Sequence, residues 1–151
     1  MNPLKPHILR KGDAPTPFTA AQIREGCPTG RSIITRTETP GQPAVSTTTT
    51  FVETDEEGAV MERDDGSRFS VTWADLQGHA SFPADRVRID DDVIETPLGT
   101  LQCLRYTVEQ DGGFDTFWFA LAHPGMPVRH MSERDGEVIA TNTVVANSFR
   151  N

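Results

Sequence analysis

Short runs in which apolar and polar residues alternate fill the chain from residue 31 to residue 146. The clearest run is 103–108, where Leu104, Tyr106 and Val108 occupy every second position. An alternation with a period of two places one set of side chains on each face of a β-strand. The pattern therefore predicts a protein built mainly from β-strands.

Clusters of Gly, Pro and Asp separate the alternating runs. They lie at residues 39–41, 55–58, 64–67, 90–92, 97–99, 111–113, 123–125 and 135–136. Such clusters reverse the chain because Gly accepts positive φ, Pro restricts φ and Asp hydrogen-bonds to nearby backbone. Strands joined by short turns pair mostly with their sequence neighbours, so we expect an antiparallel meander of about nine or ten strands. A sheet of that size bends or closes, which predicts a strongly curved half-barrel or barrel-like sheet.

The clearest helix signal lies near the N-terminus. Thr19 followed by Gln22 fits a capping box, in which each side chain bonds to the other residue's backbone N–H. We expect a short helix at about residues 20–25. Gly26 then predicts a left-handed stop, because helices commonly end on a glycine with positive φ.

Two further segments bear on the organisation of the chain. Trp73 and Leu76 fall on one helical face, which predicts a possible helical turn at 73–79. Residues 1–16 contain three prolines and predict an extended N-terminal arm. The remaining residues, 17–151, are expected to form a single β-rich domain.

Two predicted strands and one predicted turn have unusual compositions. Residues 116–121 are bulky and mostly apolar, which predicts a central strand covered on both faces. Residues 44–54 are rich in Thr, which suits a half-exposed pleated surface, and form a candidate edge for contact with a partner. Three consecutive acids at 90–92 predict a turn between strands at about 86–90 and 93–96.

Composition and charge exclude several classes of function. The net charge is −8 and the arginines are scattered among acids, which argues against a nucleic-acid partner. No apolar run approaches the length of about 20 residues that a membrane span needs. Residues 1–16 lack the apolar centre of a signal peptide, so the sequence as written predicts a cytoplasmic protein, and an exported one if its start has been trimmed. Cys27 and Cys103 could pair, but sequence does not place them.

Residues 93–145 contain a series of strand motifs that resembles a known group. The motifs are residues 95–101, the strand containing Tyr106, and residues 117–119 followed by Pro-Val-Arg at 127–129. They resemble half-barrel proteins related to bacterial lipoprotein-localisation carriers, which are exported. The resemblance implies a curved sheet with an apolar concave face that can hold an acyl chain. It assigns no functional residue.

Aromatic residues are the main candidates for a ligand site. If helices leave part of one sheet face uncovered, aromatic side chains there would line an apolar cavity. Tyr and Trp also carry polar tips that can orient a ligand. The candidate ligand-binding residues are Trp73, Tyr106, Phe117, Trp118, Phe119 and His130.

Three functional hypotheses follow. The first is non-catalytic binding of a small apolar or amphiphilic ligand in the concavity of the sheet. The second is an accessory or interaction protein, which could be a homodimer, with no small ligand. The third is an enzyme that uses His79, His123, His130 and Arg129. The sequence has no nucleophile elbow, phosphate loop or metal-ligand spacing, so we expect neither a metal nor a cofactor.

Overall fold

A computed structural model describes residues 5–149 of the chain. A short 3-10 helix, Lys5–His7, precedes two α-helices and nine strands. The helices are α1 (Ala20–Gly26) and α2 (Trp73–Gly78). The strands are β1 (Arg31–Glu38), β2 (Val45–Thr54), β3 (Gly58–Arg63), β4 (Arg68–Thr72), β5 (Val87–Thr96), β6 (Gly99–Gln110), β7 (Gly113–Ala120), β8 (Arg129–Arg134) and β9 (Glu137–Phe149).

All nine strands form one antiparallel sheet in the order β4-β3-β2-β1-β9-β8-β7-β6-β5. Neighbours in the sheet are consecutive in the chain, except at β1 and β9, which pair across the middle. The sheet is curved but does not close, so β4 and β5 form its two edges. The expectation of a mainly β, curved antiparallel half-barrel is confirmed.

The predicted turn at 90–92 is wrong, because these residues lie inside the continuous strand β5. Asp90 pairs with Arg105 and Asp92 with Cys103 across the β5–β6 ladder. The Arg105 guanidinium lies 3.2 Å from the Asp92 carboxylate, and the Trp118 indole N–H donates to the same carboxylate at 2.9 Å. The Trp118 hydrogen bond, and then the Arg105 charge, hold the pKa of Asp92 below its ordinary value. Cross-strand partners thus stabilise an acidic run in a strand that local propensity disfavours.

The Thr-rich strand does not form an edge of the sheet. β2 lies between β1 and β3; β1 pairs with its residues 45–50 and β3 with its residues 49–54. The expectation that residues 44–54 present an edge to a partner is therefore wrong for residues 49–54, whereas residues 45–48 pair with β1 alone. The register explains the composition, because interior β-strands favour β-branched residues.

The capping box at the start of α1 is confirmed. The Thr19 hydroxyl accepts from the Gln22 backbone N–H at 3.2 Å, and the Gln22 side-chain oxygen accepts from the Thr19 N–H at 2.9 Å. The helix ends at Gly26 as expected, with Cys27 as its C-cap, but the predicted left-handed conformation of Gly26 is wrong, because its φ is not positive. Gly26 instead allows a close approach: a Cβ there would lie 2.9 Å from the Cβ of Pro124.

The predicted helical turn after β4 is confirmed as α2, which begins after Thr72. The Gln77 side chain links this helix to the N-terminal segment, donating to the Pro6 carbonyl at 2.9 Å and to the Thr16 hydroxyl at 3.0 Å. The same side chain accepts from the Ala20 N–H of α1 at 3.0 Å. One buried amide therefore joins both helices and the N-terminal segment on the same side of the sheet. In residues 5–149, no helix has the length and apolar character needed to cross a membrane.

Apolar side chains pack on both faces of the sheet. The larger cluster lies between the concave face and the helices and includes Phe51, Tyr106 and Phe119. The smaller cluster includes Leu101, Cys103, Ala120 and Val128, with Trp118 packed against it. β7 contributes to both clusters because successive side chains point to opposite faces. Cys27 belongs to the larger cluster and Cys103 to the smaller, and both are free thiols.

Gly113 provides a direct test of the β7–β8 packing. A Cβ at this position would overlap the Glu133 carbonyl oxygen, which belongs to the neighbouring strand and cannot move cheaply. We expect Gly113→Ala to lower the free energy of unfolding by about 2 kcal/mol, measured by urea denaturation. Gly78→Ala is the control, because the added Cβ makes only an ordinary contact and Ala favours a helix. Equal stability of the two variants would contradict the β7–β8 register.

Candidate ligand-binding site

The concave face and the two helices enclose an apolar cavity with a volume of about 300 Å³. Strand side chains line one wall: Ile33, Phe51, Met61, Phe69, Val71, Phe117 and Phe119. Side chains from the helices and their flanks line the other wall: Pro17, Phe18, Ile23, Cys27, Leu76, Gln77, His79 and Ala80. The β7–β8 loop closes one end with Gly125, Met126 and Pro127.

The strand wall follows from the pairing register. Phe51 of β2 pairs with Met61 of β3, which pairs with Phe69 of β4. Directly paired residues face the same side of a sheet. The three side chains therefore form one apolar row across the strands. A binding surface of this kind arises only when the strands align in this register.

Two of the three polar side chains that line the cavity, Gln77 and Cys27, are buried and already engaged; the third, His79, is exposed. Gln77 is 4% exposed, and its amide bonds to Pro6, Thr16 and Ala20. The Cys27 thiol contacts the Arg31 guanidinium at 3.0 Å, and burial raises the pKa of this thiol despite the nearby positive charge. The cavity therefore offers a ligand apolar contacts and few hydrogen bonds. Its exposed lining residues are His79 and Met126.

Arg31 ties together the segments at one end of the cavity. It is 3% exposed and donates to the carbonyl oxygens of Gly26 and Pro124, each at 2.8 Å. It also donates to the Asn147 side-chain oxygen of β9 at 3.0 Å. A buried guanidinium thus connects the end of α1, the β7–β8 loop and the sheet. The same cation, together with burial, lowers the pKa of His123 in that loop, burial being the larger cause.

A second concavity borders the cavity on the same face of the sheet. We call it the threonine cleft; its lining is Thr35, Thr37, Thr47, Thr49, Met126, Pro127, His130, Asn142 and Val144. Its volume is about 300 Å³. Met126 and Pro127 line both the cavity and the cleft, so the two concavities meet at these residues.

A buried polar network lies beside the threonine cleft. Asp115 is 6% exposed and accepts from His130, Ser132 and Arg134, with the His130 Nε2 at 3.0 Å and the Arg134 Nη2 at 3.1 Å. Burial alone would raise the pKa of Asp115, but these three hydrogen bonds outweigh it and lower the pKa. The carboxylate is therefore held ionised and paired.

This network does not have the geometry of a hydrolytic relay. In such a relay the acid bonds to one imidazole nitrogen and the serine to the other. Here Ser132 and Asp115 both face the His130 Nε2, while Asn142 lies 3.4 Å from Nδ1. Ser132 also donates its proton to the carboxylate. The arrangement orients His130 and compensates a buried charge.

Two of the candidate aromatic residues, Phe117 and Phe119, line the cavity. His130 lines the threonine cleft, and its ring stacks on Phe117 with centroids 4.4 Å apart. The alternation on β7 places both phenylalanines on the concave face. These three candidates therefore follow the same surface from the cavity into the cleft.

The other candidates pack elsewhere. Tyr106 is 1% exposed, with its hydroxyl donating to the Pro15 carbonyl at 2.6 Å, and burial raises its pKa. Trp73 stacks on Phe51 behind the cavity and donates its indole N–H to the Asp55 carbonyl. Trp118 lies on the opposite face and bonds to Asp92. The polar tips of all three rings are thus occupied within the fold.

The residues considered for catalysis do not share one site. His79 lines the cavity and His130 lines the threonine cleft. His123 lies in the β7–β8 loop beside Asn147, and Arg129 donates to the Glu95 carbonyl at 3.3 Å. Within residues 5–149, no three His, Cys, Asp or Glu side chains converge in the way that metal binding needs.

Sequence reasoning missed most of the cavity wall. Ile33, Phe51 and Met61 lie on three strands whose inward positions could be read from the alternation of apolar residues. Alternation does not tell which strands lie together, or that β9 pairs with β1. The threonines of the cleft carried no apolar signal. These threonines line a site only because the folded chain places residues of other segments, such as Met126 and His130, beside them.

Comparison with known proteins yields similarity at the level of structure. No protein-family model matches the chain, and no curated protein matches it significantly. A structure of MucB in complex with MucA(peri) has a TM-score of 0.55 and 12% identity, over 86% of this chain and 54% of that chain. The MucA/MucB complex of Pseudomonas aeruginosa gives a TM-score of 0.53 and 12% identity, over 85% and 54%. A Bacteroides fragilis protein with a YmcC-like fold gives 0.48 and 10% identity, over 80% and 96%.

These similarities concern the fold. The chain spans about half the length of the MucB-containing matches. The resemblance to lipoprotein-localisation carriers is supported in its coarse form, as a shared kind of curved β-fold at low identity.

The role of Arg31 in closing the cavity can be tested by mutation. Arg31→Met removes the charged donor from the buried Gly26 and Pro124 carbonyls, so we expect the free energy of unfolding to fall by about 2 kcal/mol or more. Amide hydrogen exchange in residues 121–128 should also become faster. Arg36→Met on the same strand is the control, because that side chain is 43% exposed and should change stability by less than about 0.5 kcal/mol. Equal effects of the two variants would refute the role assigned to Arg31.

Proposed function

We propose that the protein binds a small apolar or amphiphilic molecule in the cavity without catalysing a reaction on it. One observation carries the proposal: the cavity of about 300 Å³ is lined mostly by apolar side chains, and its buried polar side chains, Gln77 and Cys27, are engaged within the fold. Small-molecule sites are concave and mostly apolar, with volumes that begin near about 300 Å³. The cavity is at the lower end of that range.

The chemistry of the lining favours an alkyl or acyl chain. Each methylene that leaves water for an apolar site contributes about 0.8 kcal/mol. A polar group placed among Ile33, Phe51 and Phe119 would lose its hydration without gaining a partner. Met61 and Met126 add flexible side chains that can adapt to different chains. We therefore infer that chain length, rather than a specific hydrogen bond, governs affinity within the cavity.

The similarity in fold supports ligand binding and also suggests a second candidate function. The resemblance to lipoprotein-localisation carriers implies a concave face that can hold an acyl chain. The match to MucB in complex with MucA(peri) raises partner binding as a second candidate function.

The free edge of the sheet favours that second candidate, an interaction protein or homodimer. β5 is a ten-residue edge strand that, within the described part of the chain, pairs only with β6, and Val93 on it is 60% exposed. An unpaired edge can accept a strand from another protein or a second copy. Light scattering over a range of concentrations tests self-association. The mass of a monomer at every concentration would exclude the homodimer.

Filling the cavity tests the ligand-binding proposal. Ala80 is 8% exposed and lines the cavity, so Ala80→Phe should occupy part of its volume. We expect the wild type to enhance the fluorescence of the neutral apolar probe N-phenylnaphthylamine. The Ala80→Phe variant should bind it about tenfold more weakly, which corresponds to the loss of about 1.4 kcal/mol of apolar contact.

Ala74→Phe is the matched control, because Ala74 is exposed on α2 and does not line the cavity. Denaturation curves for both variants will show that each is folded. Probe binding by Ala74→Phe should equal that of the wild type. Failure of the wild type to bind the probe, or equal binding by Ala80→Phe, would contradict the proposal.

A further inference from the structure

We propose that the threonine cleft binds an uncharged, hydroxyl-bearing headgroup, so that the ligand is a neutral amphiphile whose alkyl chain lies in the adjoining cavity. This inference rests on the proposed function and extends it from an apolar chain to a class of ligand. Glycerol monoesters and alkyl glycosides have the required chemistry. The observations that carry it are the change of lining along the strands, the unpartnered hydroxyls and the charge of the cleft.

The concave positions change from apolar to hydroxyl-bearing along two adjacent strands. On β1 the inward side chain is Ile33 in the cavity and Thr35 two residues later in the cleft. On β2 it is Phe51 in the cavity and Thr49 two residues earlier in the cleft. Residues two apart share a face of a strand. One continuous surface therefore has an apolar end and a polar end.

The two ends are connected beside Met126. Met126 and Pro127 line both concavities, and Met126 is 41% exposed. Methionine has a flexible side chain that adapts to irregular contacts. A single ligand can thus extend past this residue with its chain in the cavity and its headgroup in the cleft.

Three of the four threonine hydroxyls in the lining of the cleft have no partner within the described chain. Thr37 donates to the Asn142 side-chain oxygen at 2.6 Å. Thr35, Thr47 and Thr49 have no side-chain hydrogen bond to any part of the chain that the structure describes, and all three are half-buried. Thr35 and Thr47 are directly paired across the two strands, so their hydroxyls lie close together. A hydroxyl both donates and accepts, and so matches another hydroxyl.

The charges around the cleft favour a neutral headgroup. Among residues 5–149 no Lys or Arg lines it, and its only titratable lining residue is His130, which bonds to Asp115. Asp115 is also paired with Arg134, so neither the carboxylate nor this guanidinium is free for a ligand. Arg63, which pairs with Thr49 across β2 and β3, is exposed, and its guanidinium lies 4.5 Å from the centre of the Phe69 ring rather than in the cleft lining. Binding an ionised headgroup in the cleft would therefore remove its hydration without an opposite charge among the lining side chains.

Three ligands with the same tail length test the headgroup preference. The probes are monodecanoylglycerol, decanoate and decyltrimethylammonium, each below its critical micelle concentration and measured by displacement of N-phenylnaphthylamine at neutral pH. We expect monodecanoylglycerol to bind at least about fivefold more tightly than either ion, equivalent to one net hydrogen bond. Equal affinities, or a preference for decanoate or for decyltrimethylammonium, would overturn the inference.

Removal of single hydroxyls locates the headgroup. Thr35→Val, Thr47→Val and Thr49→Val keep the branched shape, so the strands should remain folded. Each substitution should lower the affinity for monodecanoylglycerol about fivefold and leave the affinity for N-phenylnaphthylamine unchanged. Thr48→Val is the matched control, because residue 48 alternates to the opposite face of β2. A loss of affinity as large in the control would overturn the assignment of the cleft.

The results separate this inference from the proposed function. If N-phenylnaphthylamine binds and the three decyl ligands compete equally, the cavity binds chains but the cleft does not select a headgroup. If no probe binds to the wild type, both the proposed function and the present inference fail. If Ala80→Phe blocks the probe while the threonine variants alter only monodecanoylglycerol, both are supported.

Discussion

β4 and β5 are consecutive strands but lie at opposite edges of the sheet, so the segment between them must cross the concave face. That segment begins with α2, which has six residues, and α1 beside it has seven. A nine-stranded curved sheet presents more apolar surface than two short helices can cover. The cavity is the space between the concave face and the helices that their side chains do not fill. Covered polar groups are paired, as the Gln77 amide illustrates.

Two buried charges then define the ends of the concave surface. Arg31 closes one end by bonding to backbone carbonyls of α1 and the β7–β8 loop. Asp115 lies at the other end, where His130, Ser132 and Arg134 compensate it. Both charges are satisfied within the fold, so neither attracts an ionic ligand. The space between them changes from apolar to hydroxyl-bearing along the strands, which is the arrangement that an uncharged amphiphile needs.

Local signals in the sequence predicted the elements that depend on local physics. The Thr19–Gln22 capping box, the helical turn from Trp73 and the meander all follow from contacts within a few residues. The errors arose where distant partners decide the outcome: Asp92 is held in a strand by Arg105 and Trp118. The residues of the site divide in the same way, into those that local signals indicate and those that depend on distant partners. The pattern of a single strand was enough to predict Phe117 and Phe119 as site residues. The apolar row that contains Phe51 forms only when β2, β3 and β4 pair in register.

The central claim is that a ligand chain lies in the cavity between the concave face and the helices. Isotope-filtered NOE spectroscopy of labelled protein with unlabelled monodecanoylglycerol tests it most directly. We expect cross-peaks from the chain methylenes to Ile23, Phe51 and Phe119, all of which line the cavity. Cross-peaks to Trp118 and Val128 on the opposite face instead, or none to the cavity residues at saturating ligand, would contradict the account.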